Sequence, residues 1–227
     1  MKRYLFTAVV LFLFSFTNAQ KNFTKPQFGI KGGLNFATLT GPSEAKFLFG
    51  VNAGLSIEFK INDKLVLQPE ALFSMQGATS SISRNPVGAN GSYTEEERLT
   101  LNYLVIPIMA KLYVSKKFTL QAGPQIGFLL NATGTTKVSS TIPNYNQLTS
   151  PIVVDGDLYL PAGETKMDFK PFVNDVDFAF NIGTGYNINE KICVDLRYNL
   201  GITKISRVST PIASKNSVFM INIGYKF

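Results

Sequence analysis

The sequence contains no histidine, no tryptophan and a single cysteine in 227 residues. Without histidine there is no His-dependent triad, no imidazole metal ligand and no imidazole acid–base relay. One cysteine excludes an internal disulfide, a CxxC pair and a four-cysteine zinc site. Charge is also scarce: 16% of residues are Asp, Glu, Lys or Arg, against about 25% in an average soluble domain. After Phe16 no apolar run approaches the roughly 20 residues of a spanning helix. What is present is 45% hydrophobic residues, 12% aromatic residues and 18 Gly. The formal charge is +7.

Lys2 and Arg3 precede the apolar run Leu5–Phe16, and small residues follow at Thr17 and Ala19. This order predicts a signal peptide, residues 1–19, cleaved after Ala19. A mature chain Gln20–Phe227 is then one domain. Loss of Lys2 and Arg3 lowers its charge to +5. Export leads to the periplasm, the outer membrane or the exterior. A basic chain there meets anionic lipid headgroups rather than nucleic acid.

The period of the pattern sets the fold class. In Gln27–Phe36, Phe28, Ile30, Leu34 and Phe36 share one parity, and Gly29, Lys31, Gly33 and Asn35 share the other. A period of two is a strand with one apolar face. The same test predicts strands over Phe47–Lys60, Leu65–Gly77, Phe118–Leu130, the later half of Phe172–Asn187, Ile192–Ile202 and Ser217–Phe227. Leu99–Val114 switches parity: Leu99, Leu101 and Tyr103 alternate, then Leu104, Ile106 and Ile108 take over. A bulge near Asn102–Leu104 accounts for the switch. Eight strands of this length suit a membrane barrel, whose tilted strands need about 9–11 residues.

Short connections at Ile61–Lys64, Ser115–Lys117 and Ile188–Lys191 alternate with long ones at Ala37–Lys46, Ala78–Arg98, Asn131–Pro171 and Thr203–Asn216. Outer-membrane barrels pair short periplasmic turns with long external loops in this way. The prediction is all-β: an eight-stranded, antiparallel, up-and-down transmembrane barrel with periplasmic termini. Two of the turns, Lys60–Leu65 and Asn187–Ile192, echo each other in sequence, with Asn favouring the bend.

Alternation alone does not say which face is inside. Three features place lipid outside. The polar face is rich in glycine (Gly29, Gly33, Gly54, Gly123, Gly183 and Gly185 among others), which suits a crowded lumen rather than a solvated surface. Aromatic residues recur near strand ends: Phe28, Phe36, Phe47, Phe59, Tyr103, Tyr113, Phe118, Tyr186, Tyr198 and Tyr225. They suit interfacial girdles. Finally, Phe219, Ile221, Ile223, Tyr225 and Phe227 form an alternating terminal series that looks like an outer-membrane assembly signal.

Ten charged residues take the inward parity: Lys31, Glu58, Lys60, Glu70, Lys111, Asp175, Asp177, Asp195, Arg197 and Lys226. Five are basic and five acidic. Desolvated charges must pair. Glu70 lies six residues after Lys64, and Arg197 six after Lys191. They are expected at similar heights on opposite strands, meeting directly or through Lys111 and plugging the lumen. Two acidic motifs suggest cations only faintly. Glu95-Glu96-Glu97 reads as a solvated loop, and Asp155-Gly156-Asp157 lacks the closing Glu of a calcium loop. Cys193 falls on the inward parity as a small buried side chain. No motif points to an enzyme, a metal or another cofactor.

Several segments together resemble the PorT-like outer-membrane β-barrel family of Bacteroidetes. They are Phe28–Gly41 (FGIKGGLNFATLTG), Leu67–Gly77 (LQPEALFSMQG), Leu101–Tyr113 (LNYLVIPIMAKLY), Leu120–Leu130 (LQAGPQIGFLL) and Asp177–Ile188 (DFAFNIGTGYNI). The family often has an acidic residue where this chain has Val105. The resemblance implies an outer-membrane barrel, with an accessory role in type IX protein secretion as one implied function. A structural or interaction role presenting surface loops, and narrow porin-like transport, are the others. The expected partners are outer-membrane lipid and lipopolysaccharide, the barrel assembly machinery and secretion-system proteins, with the chain itself monomeric.

Overall fold

The computed structural model describes residues 25–41, 45–85, 90–145, 150–154, 157–207 and 214–227. The predicted signal peptide, Asp155 and Gly156 lie outside these residues. Eight long strands close a ring: β1 (Gln27–Thr40), β2 (Lys46–Lys60), β3 (Leu65–Arg84), β4 (Tyr93–Tyr113), β5 (Phe118–Ser140), β9 (Val176–Asn187), β10 (Ile192–Gly201) and β11 (Lys215–Lys226). Each pairs with its sequence neighbour in the ring, and β1 with β11 completes the closure. All of these pairings are antiparallel. A closed ring leaves no unpaired edge within the membrane, as lipid requires.

The faces are inverted relative to a soluble protein. Outward side chains are apolar and exposed, with Phe49 at 66%, Leu55 at 62% and Ile223 at 58%. Inward side chains are polar and buried, including Asn35, Asn52, Gln68, Glu70, Gln121, Asp195 and Arg197. Water on the outside would penalise that belt, whereas hydrocarbon matches it.

The two similar turns fold alike. Asn62 Oδ1 accepts hydrogen bonds from the Lys64 and Leu65 amides, and Asn189 Oδ1 from those of Lys191 and Ile192. Each is an Asx turn that reverses the chain in four residues. The third short turn uses Ser115 Oγ, which accepts from the Phe118 amide at 3.1 Å. The start of β1 and the end of β11 lie at this same end, where the Phe227 amide donates to the Phe28 carbonyl.

At the other end β3, β4 and β5 outrun their neighbours and form a wall. Three further strands were not expected there: β6 (Ile152–Val154), β7 (Asp157–Tyr159) and β8 (Gly163–Asp168). β6 and β7 form a hairpin, and β8 pairs with the upper half of β5. Tyr93, Tyr145 and Tyr159 pack together beside Val138, with ring centroids 5.0 and 5.8 Å apart. Burial pushes the Tyr93 phenol up to about 12.

Sequence reading of β4 needs correction. Leu101 and Tyr103 face inward, on the same parity as Val105, Met109 and Lys111. There is no parity switch along β4. The register does shift at Asn102/Tyr103, but the extra residue is Leu130 on β5, beside Asn131. Both of those are exposed. Toward the long-strand end the lumen side is itself apolar, so an apolar side chain no longer marks the outward face. Glu95, Glu96 and Glu97 belong to β4 and pair with both β3 and β5, rather than lying in a loop.

Candidate functional site

The inner wall carries its polar side chains in tiers. At the short-turn end Glu58 on β2 accepts from Lys111 on β4 at 3.0 Å and from Lys226 on β11 at 2.8 Å. Above it four charges close a ring. Arg197 on β10 donates through Nη1 to Glu70 Oε2 at 2.7 Å and through Nη2 to Glu70 Oε1 at 2.8 Å. This is a bidentate contact between opposite strands, the strongest form of carboxylate recognition. Lys31 Nζ donates to Glu70 at 2.8 Å and to Asp195 at 2.5 Å. Arg197 Nη2 reaches Asp195 at 3.4 Å.

Polar neighbours take up the remaining capacity. Gln121 donates to Asp195 at 2.7 Å and accepts from Arg197, and Gln68 donates to Glu70 at 2.8 Å. Glycine makes room for this cluster at Gly185. A Cβ there would sit 2.5 Å from Gln121 Nε2 and 2.6 Å from Asp195 Oδ1.

Higher still, Asn35, Asn52, Ser74 and Gln76 are linked on one side. Gln125, Asn181 and Asn199 are linked on the other. Asp177 accepts from Thr203 Oγ1 at 2.6 Å and Asn216 Nδ2 at 3.3 Å. An apolar cap closes this end, built from Leu72, Leu101, Tyr103, Val105, Leu129, Ala132, Val173 and Ile205.

Two of the ten charges expected in the lumen are elsewhere. Lys60 is exposed at the short-turn rim and pairs with Asp63 at 2.9 Å. That contact holds the Asp63 carboxyl below its usual range. Asp175 is exposed at the opposite end and pairs with Arg207. Both have the inward parity, but each lies at or beyond the end of its strand, where the wall no longer encloses it. Lys111 does not bridge Glu70 and Arg197; it serves Glu58 instead. Gln68 and Gln121, missed by a reading that followed charge alone, share the inward parity and complete the ring.

Among the described residues no group of three or more His, Cys, Asp or Glu has a metal-binding arrangement. Cys193 is buried in the lumen wall. Phe219, Ile221, Ile223 and Tyr225 face outward on β11, and Phe227, just past its end, is exposed.

The outer membrane protein beta-barrel domain model matches residues 18–207. The chain belongs to this family. It is accordingly an outer-membrane β-barrel protein of bacteria. Solved structures are similar at low identity. Ail, the attachment invasion locus protein of Yersinia pestis, is 13% identical with a TM-score of 0.40, covering 90% of this chain and 100% of that one. Neisserial surface protein A is 10% identical with a TM-score of 0.41, covering 91% and 100%. OprG from Pseudomonas aeruginosa is 11% identical with a TM-score of 0.38, covering 88% and 95%. No curated protein matches.

Proposed function

We propose that the protein is a monomeric structural or interaction protein that holds a folded layer at the cell surface on a barrel that does not conduct. The observation that carries this reading is the ring of Lys31, Glu70, Asp195 and Arg197, which spans the lumen beneath an apolar cap. Opening a path would separate charges already paired and desolvated. An eight-stranded barrel is normally filled in this way, leaving the outer layer as the working part. In this reading the short turns and both termini face the periplasm. The outward belt meets lipid and lipopolysaccharide. The terminal apolar series of β11 is the signal read by the assembly machinery.

An accessory role in a type IX-like secretion system is the second reading. The PorT-like motifs support it, as does an apolar pair on the β6–β7 hairpin. Val153 and Leu158 face each other there and are 67% and 52% exposed, available to a partner. Recovery of secretion proteins in stoichiometric amounts with the native chain would favour this reading.

Orientation and display are tested by labelling intact cells with a membrane-impermeant maleimide. Cys193 is buried, so the wild type is expected to stay unlabelled. Lys166→Cys on β8 is expected to label, and Lys117→Cys in the β4–β5 turn is not. Labelling of Lys117→Cys alone would overturn the orientation.

A further inference from the structure

We propose that the free edge of β8 is a docking site for an extended segment of a second protein, taken up as an added antiparallel strand. The proposal rests on the interaction reading above. β8 is the last strand of its sheet: it pairs with β5 on one side and with no strand among the described residues on the other. All six of its residues are exposed.

The phase of the ladder fixes what that edge presents. The Phe169 amide donates to the Ala132 carbonyl at 2.9 Å, one step beyond the Asp168–Thr133 pair. Backbone groups alternate in direction along a strand. Phe169, Met167, Thr165 and Gly163 therefore turn theirs toward β5. Glu164, Lys166 and Asp168 each turn an N–H and a C=O away from it, toward the side with no described strand. Such a row of free backbone groups is a template for another strand.

Side chains along the edge specify the partner. Glu164 and Lys166 share one face of β8, and Thr165 and Met167 share the other. Glu164 and Lys166 lie 3.1 Å apart, yet their side chains stay 50% and 68% exposed, so each is open to a cross-strand partner. Met167 is 57% exposed. Charge on an edge discourages indiscriminate pairing. An antiparallel strand that fits sets an apolar residue against Met167, an acid against Lys166, a β-branched residue against Thr165 and a base against Glu164. Read from its N-terminus, the partner segment is apolar, acidic, β-branched, basic. A second copy of this chain does not meet that requirement. Copies in one bilayer are related by rotation about its normal, so their β8 strands run the same way and do not pair antiparallel. A symmetric parallel pair would set glutamate against glutamate and lysine against lysine, which is destabilising. The occupant is a different protein.

The test is amide hydrogen exchange of the refolded full chain in detergent, titrated with a cyclic hairpin peptide that carries Val-Glu-Val-Lys on its outer strand. Exchange at the Glu164 and Lys166 amides is expected to slow about tenfold or more, with β11 unchanged. A hairpin with Glu and Lys exchanged is expected to bind about tenfold more weakly. One N-methylated at those two residues lacks the donors and is expected to give no protection. Lys166→Pro removes an N–H that the β5 ladder does not use, as an edge strand tolerates. It is expected to abolish binding while unheated gel mobility is kept. Lys166→Glu keeps the N–H, and is expected to lose the first hairpin and accept one carrying Val-Lys-Val-Lys. The proposal is overturned if Glu164 and Lys166 gain no protection at about 1 mM peptide, or if the exchanged or N-methylated hairpin protects them equally. Exchange reads edge pairing alone. Maleimide labelling and conductance report on display and on the closed lumen, so their failure is distinct from failure here.

Discussion

Glu70→Ala is expected to destabilise the folded barrel by roughly 3–5 kcal/mol, because it strands two buried cations. Glu70 accepts both guanidinium nitrogens of Arg197 and the Lys31 ammonium, and its side chain is fully buried. Its removal leaves Arg197 and Lys31 sharing Asp195 alone. Urea unfolding in detergent or lipid, followed by gel mobility without heating, measures the loss. Lumen water reaching the gap would reduce it toward the lower bound. Adding Arg197→Ala should return part of the lost stability, giving a coupling energy of the order of 1–3 kcal/mol in a double-mutant cycle. Additive effects would show that the two side chains do not interact. Replacing all four charges by apolar residues of similar volume need not destabilise the fold. The ring is thus not a source of net stability, and the proposed function gives it the role of closing the lumen with matched charge.

Ile221→Arg is expected to cost about 2–4 kcal/mol, the penalty for a cation facing hydrocarbon near the bilayer midplane. Ile221 points outward in the middle of β11, between Leu34 on β1 and Leu196 on β10. A change on the exposed β8 strand at the long-strand end, Lys166→Ala, is expected to stay within about 0.5 kcal/mol. Refolding equilibria into lipid vesicles measure both. Equal, small effects at the two positions would mean that the apolar belt does not face lipid.

The ring of strands was legible because alternation survives wherever one face meets hydrocarbon and the other a polar lumen. Turn chemistry at Asn62 and Asn189 fixed the short ends, and strand length separated a membrane barrel from a soluble one. The reading failed where that contrast ends. Toward the long-strand end Leu101 and Tyr103 pack inside with Val173 and Ile205, so apolar residues occupy the inner face and the sequence reads as a parity switch. The added strands β6 to β8 are short, and β8 (GETKMD) is exposed at every residue, so it has no apolar periodicity to detect.

The candidate site divides the same way. Parity marks the side of the wall a charge faces, but not its height. Lys31, Glu70, Asp195 and Arg197 lie mid-strand and are enclosed, whereas Lys60 and Asp175 lie at strand ends and reach solvent. Partner choice depends on the stagger of eight strands. That stagger brings Lys31 to both Glu70 and Asp195 while leaving Lys111 with Glu58. Residue spacing within one strand does not encode it.

The closed lumen is tested most directly by single-channel recording of the purified wild-type barrel in a planar bilayer. A lumen crossed by the Lys31–Glu70–Arg197–Asp195 ring and capped by Leu72, Leu101 and Tyr103 predicts no steady open level. Large, stable single-channel currents from the wild type would contradict it.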